Sequence, residues 1–308
     1  MSELRTTSLS HKDNTTGTPN ITMYADGTTS LPGTALGGFR NALVNGDFGV
    51  NQRGGGPFSA GTAYTSDRWK VNNGSLVTVA SGGAYGTNKL SINGAAVCQA
   101  VELTPNPGRA GVFPVGSQWT FSIWATAQPT DFTAGFVDVA LDGTNVVTVV
   151  SSTAMTSTTE TNNGFTKYTI TFTVNASPVS TNVGFQVALN NYTGDVSLAQ
   201  LEPGPVATPF EHRPIGTELA LCQRYFESSI ADQYGYNGNG GNVTYFDQYN
   251  YMTAKRIVPT VNRTVTGSVN VTNASVININ LTALLVFAQV AATGSYSVST
   301  VITLDAEL

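Results

Sequence analysis

Apolar side chains recur at every second position through most of residues 41–212, the period of strands with one buried face. Trp119, Phe121, Ile123 and Ala125 alternate with Thr120, Ser122 and Trp124. Val137, Val139 and Leu141 repeat the pattern up to Asp142-Gly143, a hairpin-type turn pair. Tyr168, Ile170, Phe172 and Val174 face one way while Thr169, Thr171 and Thr173 face the other, and Val183, Phe185, Val187 and Leu189 do the same before Asn190-Asn191. Further strands are predicted at 43–50, 69–71, 76–80 and 96–103. This is enough for two packed sheets, and the pattern predicts a jelly-roll-like β-sandwich.

One segment carries helix signals. Thr217 is placed to cap it, Glu218 complements the dipole in the first turn, and Leu219, Cys222 and Phe226 form an apolar stripe. It follows a proline-rich connector, 203–214, which reads as an interdomain link. Beyond it, residues 232–251 hold Tyr234, Tyr236, Tyr245, Tyr249 and Tyr251 among Asn and Gly, and strands are predicted around 257–261, 265–271, 276–281, 284–290 and 296–304. Residues 1–40 are polar and turn-rich, with one short alternating stretch, Ile21-Thr-Met23-Tyr; they form either a loose tail or an arm that orders against a neighbouring subunit. The all-β chain thus divides into an N-terminal anchoring arm (1–40), a jelly-roll sandwich (41–212), a linker helix (213–231) and a small C-terminal β-domain (232–308). Roughly 80 residues is marginal for an isolated β-domain, so association with copies of itself is expected to supply the missing burial.

Composition narrows the function. Hydrophobic residues are 41% of the 308, sufficient for a core, but charged residues are only 11%, against roughly 25% in ordinary soluble domains. Thr, Ser, Asn and Gln must therefore make the polar surface. A net charge of −5 with 14 Lys plus Arg provides no basic stripe for a phosphate backbone, which excludes nucleic acid as a partner. The longest apolar run, 281–292, is interrupted by Thr282 and Gln289 and is too short to span a bilayer, so no membrane insertion is expected. The first nine residues lack the apolar centre of a signal peptide. An extracellular type of surface without an export route fits a protein released by lysis. Cys98 and Cys222 fall in different predicted domains and are read as two buried thiols, a disulfide being the alternative.

Catalytic chemistry is not legible. His11 and His212, the only histidines, have no nucleophile beside them in sequence, and zinc-ligand spacing is absent. Gly54-Gly-Gly56 lies between predicted strands rather than before a helix. Asp131, Asp138, Asp142 and Glu160 show no spacing that marks a two-carboxylate glycan-cleaving site. The expectation is a protein that is not an enzyme and needs no cofactor.

Several phrases resemble tail-fibre and related virion proteins of tailed phages, cyanophages in particular. They are Asn41-Ala-Leu-Val-Asn-Gly-Asp-Phe-Gly-Val-Asn-Gln-Arg53 with Ser66-Asp-Arg-Trp-Lys70; Ala199-Gln-Leu-Glu-Pro-Gly204; Ala207-Thr-Pro-Phe-Glu-His-Arg-Pro214; Glu218-Leu-Ala-Leu-Cys-Gln-Arg-Tyr225; and Leu304-Asp-Ala-Glu-Leu308. Residues 41–202 also resemble galactose-binding-like jelly-roll carbohydrate-binding modules, through Asn45-Gly46-Asp47-Phe48, Trp69 and Asp195-Val-Ser-Leu198. That second resemblance implies a structural calcium near the first and last strands, nominating Asp47 and Asp195; from the residues alone, two surface carboxylates are the other reading.

Together these imply a homotrimeric virion tail-fibre subunit. It would attach to other virion proteins through residues 1–40 and bind host-surface polysaccharide without cleaving it. A purely architectural capsid-decoration, head-fibre or baseplate-periphery role is the competitor, and a carbohydrate-binding module of an enzyme a weaker one. Candidate glycan contacts are Trp124, which points away from Trp119 on its strand, and Tyr234, Tyr236, Tyr245 and Tyr249 in what reads as a glycine-rich recognition loop. The alternative readings are a Trp124 covered by a loop or subunit, and core tyrosines in the C-terminal domain.

Overall fold

The computed structural model describes residues 40–58, 64–73, 76–103, 112–138, 147–179, 181–240, 242–277 and 279–307, and the backbone of three short strands before them. Those three, β1 (Ser8–Leu9), β2 (Ile21–Met23) and β3 (Thr29–Ser30), pair antiparallel in chain order. The remainder of the predicted arm lies outside the described residues, as do Val139, Leu141 and Asp142-Gly143. The protein is all-β, with one α-helix among the described residues.

The sandwich is built from β4 (Lys70–Asn73), β5 (Leu76–Ser81), β6 (Asn88–Glu102), β7 (Gln118–Ala125), β8 (Phe132–Val137), β9 (Val147–Thr153), β10 (Thr156–Asn162), β11 (Phe165–Thr173) and β12 (Gly184–Pro203). Two long strands, β6 and β12, serve both layers. The first part of β12 pairs with β8 and the end of β6, giving the order β9-β8-β12-β6-β4. Its second part pairs with β7 and the start of β6, giving β10-β11-β7-β12-β6-β5. Register shifts between Leu189 and Thr193 mark the change of layer, as bulges do where a strand bends. The predicted alternation sets the core. Trp119, Phe121 and Ile123 of β7 and Phe185, Val187 and Leu189 of β12 are buried. Phe185 stacks on Phe113 (4.2 Å between centroids) and Phe172 (6.1 Å) and meets Phe136 edge-on (5.1 Å).

Three expectations change. Residues 43–50 form no strand: Asn45 and Phe48 adopt left-handed φ angles of 58° and 56°. The Asn45 side chain substitutes for sheet partners, donating to Val50 O, Ser66 Oγ and Asp67 O while accepting from Val50 N. The helix, α1 (Ile215–Gln223), begins before Thr217, with Pro214 at its N-cap and no side-chain cap. Proline suits that end because its missing N–H would have no helical partner there. Finally, 232–251 is not a loop. β13 (Phe226–Asn237) and β14 (Val243–Asn250) form ladders along nearly their whole lengths with the last and penultimate strands.

With β15 (Thr260–Val269), β16 (Val271–Ile277), β17 (Ala283–Val290) and β18 (Gly294–Asp305), these strands make two three-stranded sheets, β13-β18-β15 and β14-β17-β16. Ala231, Tyr251, Leu284, Val286, Ile302 and Leu304 form their shared core.

The phrases that carry the virion resemblance meet where the sandwich, α1 and the C-terminal sheets join. Asn41 donates to Ala199 O and accepts from Leu201 N, and Ala199 N bonds to Gly46 O. A Cβ at Gly46 would lie 2.2 Å from Ala199 O, so only glycine allows this approach. Glu218 accepts from Asn45 N and pairs with Arg213 at 3.2 Å. At the other side of the seam, buried Arg68 pairs with Glu307, donates to Ala100 O and lies 3.5 Å from the Tyr225 ring centroid. Arg53 sits 3.5 Å over the Phe226 ring between Asp67 (3.5 Å) and Glu307 (3.3 Å). These residues therefore hold architecture. Cys98 and Cys222 are both buried and are not joined in a disulfide.

Candidate functional site

Trp124 does point away from the core, opposite Trp119, with Lys167 of β11 and Ser197 of β12 as its cross-strand neighbours. It is nevertheless only 4% exposed. The connector 203–214 is not a free link: it lies across this outer face. Glu202 accepts from Thr208 N (2.8 Å) and Oγ1 (2.6 Å), Gln200 Oε1 accepts from Glu211 N (2.8 Å), and Thr120 Oγ1 donates to Gly204 O (2.7 Å). Phe210 packs on the cluster of Ala84, Trp124, Phe165 and Leu198. The covered reading of Trp124 is the one the fold adopts.

The cover is incomplete. Between the connector and the turn before β6 lies a pocket of about 260 Å³, lined by Tyr85, Trp124, Glu160, Lys167, Leu198, Pro209, Phe210 and His212. Tyr85, 62% exposed, stands edge-on to Trp124 at 5.2 Å and 82°. Its φ of 53° is left-handed, which a bulky residue adopts at a cost. A hydrogen bond from its N–H to Asn162 Oδ1 (2.7 Å) holds it, while Asn163 Nδ2 bonds to Gly82 O and Gly83 O (each 3.2 Å), tying the turn to the β10–β11 hairpin. Leu198 has φ 49° at the second bulge of β12. Two strained non-glycine residues thus shape one pocket.

Its polar side is built from Lys167, buried, which donates to Glu160 Oε1 (3.0 Å) and Thr208 O (3.2 Å). Glu160 is about half exposed, so this pair holds the lysine in place more than it stabilises the fold. His212 packs edge-on to Phe210 at 4.9 Å. Aromatic edges and faces beside a fixed cation, one carboxylate and an imidazole form a concave, mostly apolar surface with a few converging polar groups. Glu160 is the one carboxylate among the lining residues, so a two-carboxylate cleavage has no second member here.

The tyrosine candidates are scattered. Tyr234 (83% exposed) and Tyr236 lie on the outer face of β13, opposite Ser297 and Ser295. Tyr245 is half-buried and stacks on Tyr296 at 4.7 Å, and Tyr249 donates to Glu227 Oε1 (2.8 Å). Tyr251 belongs to the core. Burial raises the Tyr249 hydroxyl to about 12, so it stays protonated and available as that donor. These residues do not gather into a site, nor with Trp124.

Asp47 and Asp195 do not form a calcium centre with other acidic groups. Among the described residues no three of His, Cys, Asp and Glu cluster as metal ligands. Asp195 instead accepts from Lys89 Nζ at 2.6 Å, and Asp47 Oδ1 accepts from Gly49 N at 3.1 Å. Sequence reasoning found Trp124 but missed Tyr85, Lys167, Phe210 and Leu198. The available signals were the Ala-Tyr-Gly turn at 84–86 and the Lys167 that interrupts an otherwise Thr-rich outer face.

No family model and no curated protein sequence matches the chain. Among solved structures it is similar to wild-type discoidin II from Dictyostelium discoideum, with TM-score 0.23 and 10% identity over 69% of this chain and 76% of that one. It is also similar to the enzymatically active domain of tailspike protein 4 of bacteriophage CBA120, with TM-score 0.25 and 14% identity over 53% of this chain and 21% of that one. At these scores the neighbours assign no ligand, assembly or activity to this chain. Among the described residues, no helix is long and apolar enough to cross a membrane.

Proposed function

We propose that this protein is a non-catalytic, glycan-binding structural subunit of a phage virion, most concretely a homotrimeric tail fibre attached through residues 1–40. The observation that carries the glycan reading is the Tyr85–Trp124 pocket. Sugars present C–H faces to rings and hydroxyls to charged groups, and the pocket offers Tyr85 and Phe210 for the first, Glu160, Lys167 and His212 for the second. Its volume suits one or two sugar rings, so single-site binding is weak and gains strength from multiple copies on one particle. The virion reading rests on the sequence phrases that meet at the domain seam. Self-association is supported by the apolar side chains Ile230, Tyr234 and Tyr236 on one outer face of the C-terminal sheets and Phe246 on the other.

A purely architectural role is favoured by one observation, the near-complete burial of Trp124. Glycan-array binding by the full-length chain and by Tyr85→Ala separates the two. Binding that Tyr85→Ala lowers about tenfold, as expected for a lost ring contact, supports the glycan reading. An array with no signal for either protein leaves architecture. Native mass measurement tests the trimer, and a stable monomer rejects it.

A further inference from the structure

The Tyr85–Trp124 pocket holds a charged pair whose hydrogen-bonding capacity the protein does not use up. Lys167 lies on the outer face of β11, directly across the ladder from Trp124, with Thr169 and Thr171 following it at alternate positions. An ammonium buried among rings and threonines is costly unless its donors are met. One of its three N–H donors goes to Glu160 Oε1 (3.0 Å) and one to Thr208 O (3.2 Å). The third has no acceptor among the described residues, and Lys167 lines the pocket.

Glu160 is the complement. Its side chain is about half exposed, Oε1 accepts from Lys167, and Oε2 has no donor among the described residues. Its strand is tied to the turn that carries Tyr85. Asn162, two residues further along β10, accepts from Tyr85 N (2.7 Å), and Asn163 Nδ2 donates to Gly82 O and Gly83 O. The exposed Tyr85 ring, edge-on to Trp124 at 5.2 Å, therefore stands at the same pocket as the Lys167–Glu160 pair by construction rather than by chance.

A donor and an acceptor 3.0 Å apart, at the wall of an aromatic concavity, match one feature of a pyranose. Neighbouring ring hydroxyls in a gauche arrangement stand about as far apart as these two side-chain atoms, and each hydroxyl can both donate and accept. One accepts from the third N–H of Lys167 while its neighbour donates to Glu160 Oε2. A sugar carboxylate at this point would face Glu160, and a sugar ammonium would face Lys167, so like-charge repulsion disfavours both.

Given the glycan reading of this pocket, on which the assignment rests, we propose that Lys167 and Glu160 are a specificity-determining pair for a vicinal diol. The ligand is an uncharged pyranose whose ring lies against Tyr85.

The test is a titration of the full-length chain with the methyl pyranosides of glucose, galactose, mannose, fucose and rhamnose, followed by tryptophan fluorescence. The sugar that binds best is then replaced by its derivatives lacking one ring hydroxyl at a time. Two adjacent hydroxyls are expected to matter, each deletion weakening binding about tenfold, the range of a hydrogen bond to a charged group. Glu160→Gln keeps an acceptor for Lys167 at a half-exposed position but loses the charge. It weakens binding of the parent sugar about tenfold and removes most of the effect of deleting one of the two hydroxyls. Lys167→Met does the same for the other hydroxyl, and Glu160→Gln decides the matter should Lys167→Met not fold. Sugar binding that Tyr85→Ala lowers but Glu160→Gln does not, or sensitivity confined to non-adjacent hydroxyls, overturns the diol pair and leaves the glycan reading standing. Binding of none of the five sugars rejects the diol pair as well, and the glycan array then decides the wider reading alone.

Discussion

The two β-sandwiches solve the same problem in opposite ways. The first encloses a large aromatic core, in which Trp119, Phe113, Phe121, Phe132, Phe136 and Phe185 are all fully or nearly fully buried. The C-terminal one has a core with fewer aromatic rings, in which Ala231, Tyr251, Leu284, Val286, Ile302 and Leu304 cluster, and places a charged pair inside: Lys255 and Glu227, both inaccessible, 2.5 Å apart. Glu227 also accepts from Tyr249 and from Met252 N, and Lys255 donates to Gln223 O (2.5 Å) at the end of α1. Apolar side chains that would have thickened this core instead stand on its outer faces. The lesson is that the first sandwich is stable through packing, whereas the second depends more on polar geometry and on the seam.

The largest effect expected from breaking this contrast is at Phe185→Ala. Removing a ring that touches Phe113, Phe136 and Phe172 leaves a cavity and lowers the stability of the first sandwich by about 3–5 kcal/mol. Denaturant unfolding followed by tryptophan fluorescence reads this directly, since all three tryptophans lie in that sandwich. A loss below about 1 kcal/mol would mean the aromatic stack is not what stabilises it.

At Lys255→Met the expected loss is similar or somewhat smaller, about 3 kcal/mol, because it strands the buried Glu227 carboxylate. The double variant Lys255→Met with Glu227→Gln recovers most of it, an outcome that packing alone would not give. Burial lowers the Lys255 pKa while Glu227 raises it, and the first effect is the larger. Full additivity of the two single losses would show that the pair does not act as a unit.

The smallest of the three sharpens the seam. Burial raises Asp67 from 3.8 to about 6, against the opposing pull of Gln52 and Arg53. The unfolded chain releases this proton first as pH rises, so Asp67 makes folding progressively less favourable between about pH 4 and 6 and adds a constant penalty above that. Asp67→Asn lacks this titration. The stability of the variant relative to the unchanged protein is therefore expected to rise by roughly 1–3 kcal/mol across that window and then level off. A flat difference across the window would remove Asp67 from the account of the seam.

Much of the first sandwich was legible because its strands alternate. Trp119, Phe121 and Ile123 announced one face, and Phe185, Val187 and Leu189 another. Residues 43–50 misled because Leu43, Phe48 and Val50 are core residues of a turn rather than a strand, anchored by the Asn45 side chain, which apolar spacing does not register. The segment 232–251 misled in the reverse direction. Its Gly, Asn and Tyr content reads as a loop, but β18 and β17 supply backbone partners, and the ladder overrides weak local preference. The pocket was hardest to see. Trp124 was visible as the outward residue of β7, whereas Tyr85, Lys167, Leu198 and Phe210 come from a turn, a neighbouring strand, a bulge and the connector.

The sequence by itself determined the all-β class, the inward faces of the main strands and the scarcity of charge, because side-chain period and composition act locally. Only the tertiary structure decided that the connector would cover Trp124 and that the distant phrases 41–53, 66–70, 199–225 and 304–308 would meet at one seam. Those outcomes depend on which backbone groups and side chains arrive beside one another after β6 and β12 have bent between layers, and no periodicity along the chain encodes that.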